Sequence, residues 1–226
     1  MDTQYKETGR TRRDMMKWAF AAAAGAAAFG VDVRSLGLSR AFAQSGAVDL
    51  GSGDTGVLNY AYALEQLEAA FYTNVVATPY GGMDRYEATL LRDIKGHEIA
   101  HREFFKKALG AHRIPDLAPN FKAVNFSDRN SVLTTAMTFE DLGVSAYNGG
   151  GAAIKSPAYL AAAGSIVSIE ARHAATIREL LKPGSGYFAG DDVVDGSGLD
   201  VARPPSKVLS AAGPFIATPV TATQLP

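Results

Sequence analysis

Apolar residues recur at helical spacing in four separate stretches of this chain. In the first, Leu58, Ala61, Leu64, Leu67, Ala70 and Phe71 fall three or four apart up to residue 76. Asp54 or Thr55 stands in place to cap its start, and Thr78-Pro79-Tyr80-Gly81-Gly82 breaks its end. A second stretch runs over 84–109 and closes on Gly110, the residue type that a left-handed helix end favours. The third begins after Ser127 as its cap and runs through Leu133, Met137 and Val144 to residue 148, where Gly149-Gly150-Gly151 should stop it. The fourth opens on Ser156-Pro157, a cap and first-turn pair, and ends before Pro183-Gly184.

The connections decide how these helices assemble. The turns from first to second and from third to fourth are short, while 111–126, with Pro115 and Pro119 inside it, is the longest irregular span of the middle region. That layout predicts an all-α fold, a four-helix bundle with one long crossover between helices 2 and 3. From residue 184 onward the chain is rich in Gly, Asp and Pro, with one short helical turn expected around 207–212. The expectation is an irregular C-terminal strap lying over the bundle, with Val208, Leu209 and Phe215 as its apolar contacts.

The beginning of the chain follows another logic. Thr11-Arg12-Arg13-Asp14-Met15-Met16-Lys17 leads into an Ala-rich run over 18–31, and Ala41-Phe42-Ala43 offers a small-x-small cleavage site. This is a signal-peptide layout, and the paired arginines after a hydroxyl residue resemble the twin-arginine export signal. The apolar run is short of the roughly 20 residues a bilayer needs, so a membrane anchor is disfavoured. Three segments are therefore expected: a signal at 1–43, a bundle at 44–183 and an extension at 184–226. The mature chain would start at Gln44 and act in the periplasm or outside the cell.

Loss of that signal takes seven of the 22 Lys/Arg and four of the 23 Asp/Glu, leaving a mildly acidic balance of 15 against 19. No basic stripe makes a case for nucleic acid, and no further apolar run makes one for a membrane span. Cysteine is absent from the sequence, which excludes thiolate ligands and a rubredoxin-type module within it. A metal would have to be held by carboxylates and imidazoles.

The helices carry such groups in a repeated pattern. Glu65 is followed seven residues later by Tyr72 and then by Glu98-Ile99-Ala100-His101; Glu140 is followed seven residues later by Tyr147 and then by Glu170-Ala171-Arg172-His173. Residues three apart share a helix face, so each Glu-x-x-His projects a carboxylate and an imidazole together. Alone, a Glu-x-x-His is usually a solvated pair. Here two of the four histidines lie in such a motif, each after a Glu-x6-Tyr and each on its own helix. The six residues Glu65, Glu98, His101, Glu140, Glu170 and His173 match the set with which helical bundles bind two metal ions. Four carboxylates balance two divalent cations, and the imidazoles leave coordination positions open.

With Leu64-Glu65-Gln66-Leu67-Glu68-Ala69-Ala70-Phe71-Tyr72 and the segments around Glu140 and Glu170 in view, the chain resembles the ferritin-like superfamily over about 54–215. Within it, the resemblance is to the bacterial ferritin-like and desiccation-related branch. It implies two iron or manganese ions and chemistry on peroxide, dioxygen or ferrous iron. The alternative is a stress-protective or interaction protein that retains a metal site. A homo-oligomer is left open, and the resemblance is weakest in the loops that would build a cage. Many relatives place an Asp before each Glu-x-x-His to orient a histidine; here those positions hold His97 and Ile169, so that support is expected from elsewhere.

Neighbouring residues carry their own expectations. Glu68 shares the face of Glu65 and is either a seventh ligand or a hydrogen-bond acceptor for one, while its counterpart Gly143 offers nothing. Tyr72 and Tyr147 are either hydrogen-bond partners of ligands or core aromatics. His97 points about 100° away from Glu98 and is expected at the surface or an interface. His112 is expected in solvent, and Arg172 in a surface or interhelix ion pair.

Overall fold

The computed structural model describes residues 46–226; the expectations for 1–43, including cleavage after Ala43, lie outside the described residues. Four long helices form the body: α1 Gly53–Ala77, α2 Arg85–Leu109, α3 Arg129–Gly151 and α4 Pro157–Leu181. A short α5, Pro205–Ala212, and two two-residue strands complete the elements that matter here, β1 Val48–Asp49 pairing in parallel with β2 Val220–Thr221. The all-α bundle with one crossover is what the structure shows. No described helix is long and apolar enough to cross a membrane.

α1 is the central helix. Every residue from 56 to 69 is buried, because α2 covers one side and the crossover and strap cover others. Full burial of each large apolar side chain here, such as Leu64 or Phe71, contributes about 1.5–3 kcal/mol. A helix enclosed all round must also satisfy its polar side chains, and two of them hold the crossover in place. Asn59 donates to the carbonyls of Leu50 and His112 at 3.1 and 3.0 Å and accepts from Ile114 N at 3.0 Å. One face further along, Gln66 Oε1 accepts from Leu117 N at 2.7 Å. The crossover backbone is thus paired with the helix beneath it, as a buried connection requires.

Helix ends correct three expectations. Asp54 does not cap α1; its carboxylate accepts from Lys155 N and Ser156 N at 2.8 and 2.9 Å, satisfying the turn that starts α4. Asp128, not Ser127, caps α3 by accepting from Ser131 N at 2.6 Å. The third correction is that α3 does not stop at Gly149 but runs through the triple glycine to residue 151. Those glycines answer to packing: a Cβ on Gly149 would lie 1.9 Å from Arg203 O, where the strap crosses the helix. Asp84 and Gly110 end α2 as expected.

The extension lies on the bundle. Val208 is fully buried, Leu209 packs beside it, and Phe215 meets Phe139 edge-on with centroids 4.8 Å apart. Arg203 N donates to Ser145 O at 3.0 Å. Arg178, on α4, is 1 % exposed and grips Asp141 of α3 and Asp192 of the extension through paired contacts of 2.7–3.1 Å. One guanidinium therefore holds two helices and the strap together.

Candidate metal centre

Each of the four glutamates falls near the middle of its helix, so the four helices deliver carboxylates to one layer of the bundle. Glu65, Glu98, Glu140 and Glu170 are all fully buried, and His173 nearly so. His101 Nδ1 lies 2.9 Å from Glu170 Oε1, 3.4 Å from Glu65 Oε2 and 3.5 Å from Glu98 Oε2. His173 Nδ1 lies 2.8 Å from Glu98 Oε1 and 3.3 Å from Glu140 Oε2.

These contacts are short but outside hydrogen-bond geometry. Both oxygens of Glu98 and Glu170, one each of Glu65 and Glu140, and both histidine Nδ1 atoms are buried without a hydrogen-bond partner. Eight such atoms in one layer are costly unless something else satisfies them. They converge on two overlapping groups, Glu65-Glu98-His101-Glu170 and Glu98-Glu140-Glu170-His173, whose ligand atoms lie within 4.8 Å of one another. Glu98 and Glu170 belong to both groups, and Glu65 and Glu140 to one each. Each group could hold one metal ion.

The tyrosines turn out to be partners of the carboxylates. Tyr72 on α1 donates to Glu140 Oε1 on α3 at 2.5 Å, and Tyr147 on α3 donates to Glu65 Oε1 on α1. This reciprocal exchange is an approximate two-fold relation between the halves of the bundle. Near its middle, Glu68 meets Gly143: a Cβ there would sit 3.1 Å from Glu68 Oε1 and 3.3 Å from Glu170 Oε2. Gly143 thus offers room, and a buried fifth carboxylate occupies it.

Of the two places expected for His97, the surface or an interface, the structure does not give the open surface. It is half-buried, and its Nδ1 lies 2.9 Å from His173 Nε2. The rings are 7° from parallel with centroids 5.2 Å apart, which is the N···N distance plus one ring radius at each end. The contact is therefore an in-plane hydrogen bond and not a face-to-face stack. Support for His173 comes from the very position where an Asp was missed, because the 100° turn away from Glu98 points at α4. His112 and Arg172 are exposed as expected, although Arg172 donates to Ser168 O of its own helix at 2.8 Å and not to an acid.

Crowding sets the protonation of the cluster. Burial pushes Glu140 up to about 8 despite His173. Burial likewise lifts Glu65 well above the carboxylate range, and burial with the charges of Glu170, Glu98, Glu65 and Glu140 lifts Glu68. Burial alone would raise Glu98, but its contacts with His101 and His173 hold it at about 2. Burial opposes the imidazolium of His173, yet Glu140 and Glu98 raise it to about 11; His101 is raised too, chiefly by Glu65. Protons thus neutralise a negative cluster in which divalent cations would serve equally. Oxygen and imidazole donors with no sulfur suit a divalent first-row metal.

A family model for the ferritin-like domain matches residues 53–183, which includes all six residues. The chain belongs to the ferritin-like family. No curated protein matches it. Within the ferritin-like bundle, the sequence pattern missed the Arg178–Asp141 clamp. Asp141 follows Glu140 and Arg178 lies five residues after His173, so the clamp ties α3 to α4 beside the cluster.

Proposed function

We propose that this chain is an exported di-metal oxidoreductase that binds two iron or manganese ions and acts on peroxide, dioxygen or ferrous iron. Glu65 and His101 would hold one ion, Glu140 and His173 the other, and Glu98 and Glu170, which belong to both groups, would serve both. The observation that carries the reading is the set of eight buried, unpartnered donor atoms converging on two centres that share two carboxylates. When bound, such a pair of ions supplies Lewis acidity and electron exchange with a small oxidant.

The residues of the chain prepare that chemistry. Tyr72 and Tyr147 hold the outer oxygens of Glu140 and Glu65, which fixes the inner oxygens toward the centre. Burial and the neighbouring carboxylates lift Glu68 well above the carboxylate range, and the four other glutamates offer the four negative charges that balance two divalent ions. Disproportionation of peroxide needs no outside electron donor, which suits a chain without cysteine. Arg12-Arg13 and Ala41-Phe42-Ala43 support export by the twin-arginine route to the periplasm or beyond, and the segments around Glu65 and Glu170 support the desiccation-related branch.

Metal analysis of protein purified after export tests the centre, with two ions per chain expected. Glu140→Ala should remove peroxide turnover and ferrous oxidation while the bundle still folds. Equal rates for the metal-loaded wild type and this variant would instead favour a protective protein that keeps a metal site for stability. Changing Arg12 and Arg13 together to Lys should strand the precursor inside the cell; unchanged export would remove the twin-arginine reading.

A further inference from the structure

The approximate two-fold relation that exchanges Tyr72–Glu140 with Tyr147–Glu65 also carries the His97–His173 pair onto Ile169–His101. The two pairs are chemically unlike. His97 offers a nitrogen that accepts a hydrogen bond, whereas Ile169 has no polar atom. Resting on the di-metal reading above, we propose that His97 is a positioning residue that makes the two ion positions unequal, so that the Glu140–His173 position fills first and more tightly.

The physical basis is the choice between two ring nitrogens. His173 Nδ1 faces Glu98 and Glu140, and it can donate its lone pair only when the ring proton sits on Nε2. With His173 Nε2 as the donor, the in-plane contact of 2.9 Å to His97 Nδ1 keeps a proton on that nitrogen, so the proton an ion displaces is the one on Nδ1. The ring is thus oriented before an ion arrives. An imidazole acceptor is neutral, so it orients the ligand without adding a further negative charge to a layer that already holds five buried carboxylates. His101 also directs Nδ1 at its group, but the corresponding neighbour is aliphatic, and the cost of orienting its ring falls on the binding step.

Titration calorimetry of the intact mature chain with Zn²⁺, a redox-silent probe, should show two unequal steps. His97→Leu should weaken the tighter step by about 10- to 100-fold and leave the weaker step in place. His97→Gln, whose amide oxygen can accept the same proton, should restore most of the loss, which a merely space-filling role for His97 would not produce. Ile169→Gln should tighten the weaker step. Two equal steps in the wild type, or equal weakening of both steps in His97→Leu, would overturn the inference while leaving the di-metal reading intact. Absence of any uptake by the wild type would bring down both.

Discussion

Tyr72 and Glu140, on helices that do not adjoin in sequence, share a hydrogen bond of 2.5 Å at the edge of the buried cluster. The phenol is the donor, and it leaves Glu140 Oε2 aimed inward. Tyr72→Phe keeps the ring but strands a buried carboxylate oxygen, which costs about 1–3 kcal/mol. Chemical denaturation of the metal-free variant should report that loss, and Tyr147→Phe should behave alike through Glu65. Unchanged stability in both would mean that the phenols are only packing.

The metal-free protein should be most stable at mildly acidic pH. Glu140 rises from 4.5 to about 8 on folding and His173 from 6.5 to about 11, so each stabilises the fold below its unfolded value. Their contributions are lost as pH rises through 8 and on toward 11. Glu98 is lowered to about 2, so its contribution is present above 4.5 and lost as pH falls toward 2. A stability profile peaking near pH 4.5 and declining above it follows. Metal uptake displaces protons, so affinity should climb with pH, and a metal-free profile rising from pH 6 to 9 would contradict this account.

Gly149→Ala tests the seating of the strap. The added methyl would collide with backbone at Arg203 O, which cannot swing aside as a side chain could. Overpacking of this kind costs about 1–3 kcal/mol. Limited proteolysis should cut the variant earlier between 184 and 204, whereas unchanged cleavage would show that the strap is not held there.

Arg178→Ala should be the most damaging single change outside the cluster, at about 3–5 kcal/mol, because it removes the cation from a buried pair and leaves Asp141 behind. Asp192→Asn should cost far less, since Asp192 is half-exposed and water can replace its partner. Thermal unfolding of the two variants side by side checks the order, and equal shifts would refute it.

The helices and the six cluster residues were legible because both depend on spacing along one chain. Apolar residues three or four apart fix a buried face, and Glu-x-x-His fixes which groups share it. What was not legible depended on how helices meet. That Glu98 and Glu170 are shared by both groups follows from the packing of α2 and α4 against α1 and α3, which no single helix records. His97 looked turned away because the direction was judged against Glu98 alone; the neighbouring helix supplied His173 on that side. Asp54 reads as a local cap, yet its partners lie a hundred residues on, at Lys155 and Ser156. Gly149 reads as a helix stop, but an absent side chain can equally admit a crossing backbone.

The small parallel pairing of β1 with β2 sets an order in time. Val48 N donates to Pro219 O at 2.7 Å and Leu50 N to Thr221 O at 3.0 Å, so the first described strand waits for a segment made after all four long helices. On the ribosome α1 and α2 can form a hairpin early, while β1 stays unpaired until translation has passed Thr221. Only a chain synthesised to that point can close β1 on β2, and that closure distinguishes a finished bundle from a nascent one.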